Sequence, residues 1–419
     1  MKKVLVITYY WPPSGGPGVQ RVLKFCKYLP EFGWEPIVLT TEEGEYPAID
    51  YSFDGDIPPE CMVYRTRTFE PFSLYKKFTA QTKIPTYQLG RGENESWFSR
   101  VSKWTRMNIF LPDPRIGWYP FALKKAKSIL KNHNVDVIFS SSPPQSVHLI
   151  ARSISFKGIP WVADFRDPWK APFYSEGQKR NLISDIWDRR LERKTFSSIT
   201  RITTVSPGYR ILLGTKISQD KIYVIYNGFD EPDFQVEVDN KRGDEIIISY
   251  IGTMSESRKP LVLFQALNKL LKENTKTSYQ LNIVGDTHPS VISDLKNYEI
   301  LRKSKLFGYI SHTEALTIMR QSHFLVVVVP KTENNNGIVP AKLFEYIRSK
   351  FPIILIGPPD GDAASIIRKT HSGFVFDYDD VDSIKKILTS NPTIQPKDYQ
   401  VFNRRNLTKQ LVAIFNTIT

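Results

Sequence analysis

The chain has 419 residues, of which 41% are hydrophobic and 13% aromatic, a composition typical of a globular protein rather than a disordered one. Its length exceeds what one compact core normally fills and predicts two domains of about 200 residues. The formal net charge is +14, yet no nucleic-acid recognition motif accompanies it. The two cysteines, Cys26 and Cys61, lack the spacing of a metal site or redox motif. The sequence contains no run of about 18 apolar residues, so it predicts no membrane-spanning helix.

The first apolar run, residues 4–7, is too short for the apolar core of a signal peptide and predicts a buried strand. A cytoplasmic protein is the simplest expectation. Residues 11–21 then form a glycine-rich stretch with Gly15 and Gly16, and apolar residues at helical spacing follow it. A glycine loop before a helix suits a phosphate or sugar, because backbone N–H groups can approach the ligand closely. Arg21 stands where a dinucleotide fingerprint needs its third glycine, and glycines that merely turn the chain remain the alternative.

A strongly basic stretch runs from Arg65 to Lys131, with fourteen lysines and arginines against four acidic residues. Aromatic side chains are interleaved with this charge, and the segment from 42 to 120 shows little regular period. One interpretation is a peripheral patch that binds anionic membrane lipid and a lipid-linked acceptor. The other is a solvated basic face over an ordinary aromatic core.

A dense charged motif follows the predicted strand within residues 160–165. The sequence there reads Asp164-Phe165-Arg166-Asp167, and the carboxyl ends of parallel strands are where ligands bind in such sheets. Carboxylates beside an arginine can bind sugar hydroxyls while the guanidinium meets phosphate. A structural cluster of ion pairs that anchors the loop is the alternative.

In the second half, a predicted strand at residues 246–252 leads through Arg258 and Lys259 into a helix beginning at Leu261. Two cations at a helix N-terminus suit a diphosphate, because their charge adds to the helix dipole. An ordinary pair of solvated cations is the alternative.

The most informative stretch lies between the apolar runs 324–329 and 352–357, which both predict buried parallel strands. A polar loop passes through Gly337 and Pro340 into a helix starting near Ala341, with Glu345 one turn inside it. At that position the carboxylate can reach the paired hydroxyls of a ribose. A plain strand–helix–strand unit with a solvated glutamate is the alternative.

The order of these motifs resembles the GT-B glycosyltransferases, specifically the large retaining family 4 group. The resemblance implies an α/β fold of two Rossmann-like parallel-sheet domains facing each other across a cleft, with the C-terminal helix crossing back. It implies an acceptor-binding domain of residues 1–228 with 400–419, and a donor-binding domain of residues 229–399. The segment Asn227-Gly228-x-Asp230 matches the family's interdomain linker.

The same resemblance assigns roles to individual residues. It implies a catalytic group near the acceptor made of Asp164, Arg166 and Asp167. It implies a donor site made of Gly15, Gly16, Arg258, Lys259, Gly337, Ile338, Val339, Lys342 and Glu345. Two positions depart from the family pattern, because Gly337 stands where the first of two glutamates is usual and Thr253 stands where an arginine is usual. We expect Arg258 to replace that arginine.

The expected reaction moves a sugar from a nucleotide-diphosphate sugar to an acceptor hydroxyl with retention, in cell-surface polysaccharide or glycolipid biosynthesis. The acceptor is a sugar or lipid-linked saccharide, and no cofactor, metal or nucleic acid is expected. Asp54-Gly55-Asp56 has the spelling of a metal-binding pair but lies in a loop rather than after a strand. Alternatives are a nucleotide-sugar 2-epimerase, an inverting transferase or a non-catalytic nucleotide-binding subunit. The broken glycine fingerprint argues against a dehydrogenase.

Overall fold

The computed structural model describes residues 1–69, 97–156, 158–170, 180–235, 245–273 and 278–419. Within these ranges the chain forms two compact units. The first unit comprises the residues up to Tyr226 together with Arg404–Thr419, and the second comprises Asn227–Asn403. The divisions fall after Tyr226 and after Asn403; the predicted boundaries are 228 and 400. Residues 70–96 of the basic stretch, with Lys76 and Lys77, lie outside the described residues.

A seven-stranded parallel sheet forms the centre of the first unit. Its central strands are apolar and buried on both faces, because crossover helices cover both sides of a parallel sheet. The strands are β1 (Lys2–Ile7), β2 (Trp34–Thr41), β3 (Met62–Thr66), β4 (Val137–Ser142), β5 (Trp161–Phe165), β6 (Arg201–Thr204) and β7 (Ile222–Val224). Their spatial order is β3-β2-β1-β4-β5-β6-β7, which extends the Rossmann order by one strand.

The helices between these strands are amphipathic, and several begin at a residue that caps the free N–H groups of the first turn. The Asn181 side chain accepts from the N–H of Ser184, and the Ser206 side chain accepts from the N–H of Tyr209. Among the described residues the helices are α1 (Pro17–Tyr28), α2 (Trp97–Asn108), α3 (Tyr119–Asn132), α4 (Ser146–Ser155), α5 (Leu182–Phe196) and α6 (Pro207–Leu213).

A six-stranded parallel sheet forms the centre of the second unit. The strands are β8 (Ile246–Ile251), β9 (Tyr279–Val284), β10 (Ser304–Gly308), β11 (Phe324–Val328), β12 (Ile353–Ile356) and β13 (Gly373–Phe376). The helices are α7 (Leu261–Lys272), α8 (Pro289–Asn297), α9 (His312–Arg320), α10 (Lys342–Ser349), α11 (Asp362–Thr370) and α12 (Val381–Ser390). The spatial order is β10-β9-β8-β11-β12-β13, so the direction of winding reverses between β8 and β11. In open sheets of this kind, ligands bind in the crevice at that reversal.

The last helix, α13 (Arg404–Asn416), belongs to the first unit. It buries Leu407, Leu411 and Phe415 in the core on one side of the seven-stranded sheet. The Phe415 ring lies 5.1 Å from the ring of Trp34 and 5.9 Å from that of Phe139, measured between centroids. The prediction that the terminal helix returns to the N-terminal domain is confirmed. None of the helices in the described ranges combines the length with the hydrophobicity of a membrane-spanning segment.

Candidate functional site

The candidate site lies at the carboxyl edge of the six-stranded sheet, where β8 and β11 end. Gly252 follows β8 with a φ of +123°, a backbone conformation that favours glycine. A Cβ atom at this position would lie 3.4 Å from the Nζ of Lys342 on α10. The glycine therefore lets the strand end and the first turn of α10 approach each other closely.

Lys342 is held against the end of β8. Its Nζ donates to the carbonyl oxygen of Ile251 at 2.7 Å and lies 3.5 Å from the ring centroid of Tyr250. Burial, and then the positive charge of Arg258, hold the pKa of Lys342 well below its ordinary value. An anion beside this amine would favour its protonated, positively charged form. The position is therefore suited to an anionic ligand.

A second contact fixes α10 relative to β8. The backbone N–H of Ile251 donates to the hydroxyl oxygen of Tyr346 at 3.0 Å, and burial raises the pKa of Tyr346 well above its ordinary value. Both backbone polar groups of Ile251 are thus bound by side chains of α10. The helix that carries Glu345 has a defined position on the sheet as a result.

Glu345 is paired with a histidine. The Nε2 atom of His312 lies 2.9 Å from Oε1 of Glu345, and each side chain is 14% exposed. His312 is the first residue of α9, and a capping box formed by Ser311 and Glu314 fixes that helix end. The pair holds the Glu345 carboxylate in one orientation at the edge where ligands bind. The sequence did not single out His312, although its place at the start of a helix on this edge was a usable signal.

The two predicted diphosphate cations have different surroundings. Lys259 forms an ion pair with Asp294 on α8, with 2.8 Å between Nζ and Oδ2. Arg258 lies at the end of a short 3₁₀ turn. Its charge adds to the burial that lowers the pKa of Lys342, and it partly opposes the burial that raises the pKa of Tyr250 to about 12. Arg258 therefore acts on the site that contains Lys342, whereas Lys259 is tied to a neighbouring helix.

The loop before α10 is fixed by internal hydrogen bonds. The N–H of Ile338 donates to the carbonyl of Asn335 at 3.0 Å, and the Asn335 side chain donates to the Pro330 carbonyl at 3.1 Å. Gly337 and Val339 are buried. Of the predicted donor-site residues in this loop, Ile338 has its backbone N–H already engaged in a turn.

The charged motif of the first unit is built around a buried ion pair. Asp164 is fully buried on β5 and accepts from Arg21 of α1, with 2.8 Å between Nη2 and Oδ1. The hydroxyls of Ser141 and Thr203 each donate to it at 2.7 Å. Burial opposes its charge, but the Arg21 charge and these hydrogen bonds together lower the pKa of Asp164. This environment is that of a structural carboxylate, not of one that an acceptor reaches.

Arg166 and Asp167 occupy the carboxyl edge of the same sheet. The Arg166 guanidinium donates to the carbonyl oxygens of Ser142 and Pro143, each at 2.8 Å. It therefore ties the ends of β4 and β5 together. Asp167 is partly exposed, which makes it the carboxylate of this motif that solvent and ligands can reach.

A neutral histidine lies beneath this edge. His148 on α4 is fully buried, and its Nδ1 lies 2.9 Å from the hydroxyl of Ser140. Burial lowers the pKa of His148 to about 3. The side chain contributes to packing, with its ring centroid 4.3 Å from that of Phe165.

Two other predicted sites are placed in the first unit. Gly16 precedes α1 with a φ of +90°, and the N–H of Gly15 donates to the Ala48 carbonyl at 2.8 Å. Asp56, one of the acidic pair discounted as a metal site, is engaged by lysines of α1, with Lys24 Nζ at 2.6 Å. The aspartate therefore already has cationic partners in the protein.

Comparison with solved structures identifies the fold class. The chain is similar to HepE from Anabaena in complex with UDP and glucose, at 12% identity, TM-score 0.64 and 100% coverage of both chains. It is similar to a glycosyltransferase from Rickettsia africae, at 16% identity and TM-score 0.60, covering 100% of this chain and 98% of the other. WaaG, a glycosyltransferase involved in lipopolysaccharide biosynthesis, matches at 13% identity and TM-score 0.58, covering 99% and 95%. The two Rossmann-like units thus form the GT-B glycosyltransferase fold, as predicted.

The family follows from two sequence matches. The family model described as Glycosyltransferase Family 4 matches residues 85–231, and that described as Glycosyl transferases group 1 matches residues 232–400. Together they span more than half of the chain, which therefore belongs to the glycosyltransferases that combine these two domains. A search of curated proteins found no match.

Proposed function

We propose that this glycosyltransferase takes its sugar from a nucleotide-diphosphate sugar bound at the carboxyl edge of the six-stranded sheet. The observation that carries the proposal is the pairing of Glu345 with His312 one turn into α10, at the point where the winding reverses between β8 and β11. In this assignment the Glu345 carboxylate accepts hydrogen bonds from the ribose hydroxyls.

The diphosphate lies next to Arg258 and Lys342 in this proposal. The Lys342 amine is bound at the end of β8, and the charge of Arg258 acts on that amine. A diphosphate that arrives there offsets the cost of protonating the buried amine, and the N-terminus of α10 adds a favourable dipole. The same charges stabilise the leaving diphosphate as the glycosidic bond breaks, which is the electrostatic contribution that glycosyl transfer requires. We propose that no metal takes part.

The acceptor is proposed to bind at the carboxyl edge of the seven-stranded sheet. Asp167 is the partly exposed carboxylate there, and it orients the acceptor hydroxyl. Asp164 and Arg166 act through the loop they hold in place, since their polar groups are bound to Arg21 and to strand-end carbonyls.

The product is proposed to be a cell-surface polysaccharide or glycolipid, formed with retention in the cytoplasm or on the inner face of its membrane. One structural relative, WaaG, is involved in lipopolysaccharide biosynthesis, which supports this product class, and HepE in complex with UDP and glucose supports a nucleotide-sugar donor. The basic stretch from Arg65 to Lys131 supports attachment to anionic lipid.

A ligand screen followed by product analysis tests the proposal. Nucleoside diphosphates and nucleotide sugars should raise the melting temperature, because a ligand that binds the folded state stabilises it. The best donor is then incubated with saccharide acceptors, and NMR of the product reports the anomeric configuration. Conversion of the donor without an acceptor would identify an epimerase. Tight binding without turnover on any acceptor would identify a non-catalytic subunit.

A further inference from the structure

Helix α5 has two apolar faces. One packs into the first unit, where Phe196 is part of the core and Leu191 lies against it. The other faces solvent and carries side chains that are each between 56% and 75% exposed: Leu182, Ile183, Ile186 and Trp187. Residues three and four apart share a helix side, so these four form one surface over the first two turns. A surface helix normally carries a single apolar stripe.

The same side of α5 becomes basic toward its C-terminus. Arg190, Arg193 and Lys194 are exposed and lie seven residues, or about two turns, after Ile183, Ile186 and Trp187. The apolar and basic parts therefore follow one another along one face.

The acidic residues of α5 are engaged on its other sides. Asp185 is paired with Lys170 at 2.5 Å and with Arg189 at 2.7 Å. Asp188 is buried and accepts from the indole N–H of Trp169 at 3.1 Å. Glu192 is only 12% exposed and is paired with Lys216 at 3.8 Å. The exposed face thus presents cations without intervening carboxylates.

Helix α2 lies next to the start of α5. The N–H of Asn181 donates to the Asn108 side chain at 2.7 Å, and the Ser184 hydroxyl donates to the Asn108 carbonyl at 2.8 Å. These bonds hold the end of α2 against the start of α5. Trp104 and Ile109 are also exposed there, at 54% and 61%.

We propose that the α5 face, defined as Leu182, Ile183, Ile186 and Trp187 with the cations Arg190, Arg193 and Lys194, docks on an anionic lipid bilayer. Aliphatic side chains and an indole enter the acyl boundary, while cations on the same face meet the headgroups. Cores of protein interfaces are depleted of charge, and lysine is uncommon there, so this combination fits lipid better than a protein partner. The net charge of +14 also favours attraction of the protein to an anionic bilayer. The inference rests on the membrane attachment proposed above, for which it names the docking surface, and it does not rest on the donor chemistry.

Vesicle flotation with the full chain tests the proposal. We expect the protein to float with phosphatidylcholine vesicles that contain phosphatidylglycerol and not with phosphatidylcholine alone. Neutralising the cations with Arg190→Gln, Arg193→Gln and Lys194→Gln should lower partitioning at low salt about 100-fold. The pair Ile183→Glu and Trp187→Glu should abolish it.

Matched controls separate this face from general surface changes. Ile211→Glu alters an equally exposed apolar side chain on α6, and Lys296→Gln with Arg302→Gln removes exposed cations of the second unit. All controls should float like the unchanged protein. Every variant should keep the same melting temperature and the same response to nucleotides, so a failure of the donor proposal remains distinguishable.

Two results would overturn the proposal. The first is that anionic vesicles at low salt leave the protein unbound, or that the α5 variants float as well as the unchanged chain. The second is a dimer in light scattering that the α5 variants convert to a monomer, since a second copy would then cover the face.

Discussion

Replacing Glu345 by glutamine tests the ribose assignment directly. The Glu345 side chain is 14% exposed, and one of its carboxylate oxygens lies 2.9 Å from His312 Nε2. The side chain therefore has little room to change its orientation. A hydrogen bond to a charged group contributes about 1.5–3 kcal/mol. Glu345→Gln should therefore weaken ribonucleoside diphosphate binding about 10- to 150-fold by calorimetry.

The comparison of ligands makes this test specific. The 2′,3′-dideoxy analogue of the same nucleotide lacks both hydroxyls, so its affinity should change little in Glu345→Gln. Glu333→Gln, an exposed glutamate in the same loop, should bind both ligands like the unchanged protein. An unaltered ribonucleotide affinity, or an equal loss for the two ligands, would refute the reasoning.

Three further expectations concern charge and burial. The double variant Arg258→Ala and Lys259→Ala should lose far more affinity for a nucleoside diphosphate than for the nucleoside. Arg258→Ala alone should reproduce most of that loss. Equal losses of affinity for both ligands in calorimetry would contradict the assignment of these cations to the diphosphate. His148 has a folded-state pKa of about 3, below its usual value, so only the unfolded chain takes up its proton as the pH falls. This should cost about 2 kcal/mol of stability between pH 7.5 and 5, and urea unfolding of His148→Leu should show a pH dependence smaller by that amount. Asp164→Asn leaves the buried Arg21 charge uncompensated and should destabilise the first unit by about 3–5 kcal/mol, whereas an unchanged urea midpoint would exclude a structural role.

The fold was predictable because its strands have strong local signals. The predicted runs 4–7, 246–252 and 324–329 correspond to β1, β8 and β11, since uninterrupted β-branched residues fit a strand buried on both faces. The predicted ends of helices were less accurate. The terminal segment predicted from residue 400 begins within a 3₁₀ turn, Tyr399–Phe402, and α13 starts only at Arg404.

The candidate site was predictable only in part. The sequence shows which residues follow which strand, so it placed Glu345 and Asp164 at sheet edges. It does not show which distant side chains meet. Arg21 lies 143 residues before Asp164, and His312 lies 33 residues before Glu345. Burial of the first carboxylate and pairing of the second arise from these long-range contacts, which no local pattern encodes.

The position of α13 has a consequence for how the protein is made. The groove that receives Phe415 is formed by Trp34 and Phe139, which leave the ribosome long before it does. During translation this apolar groove of the first unit therefore stays exposed to solvent until α13 is made, while all of Asn227–Asn403 is synthesised and can fold. A nascent chain stalled before Arg404 would present that groove to chaperones and to other nascent chains.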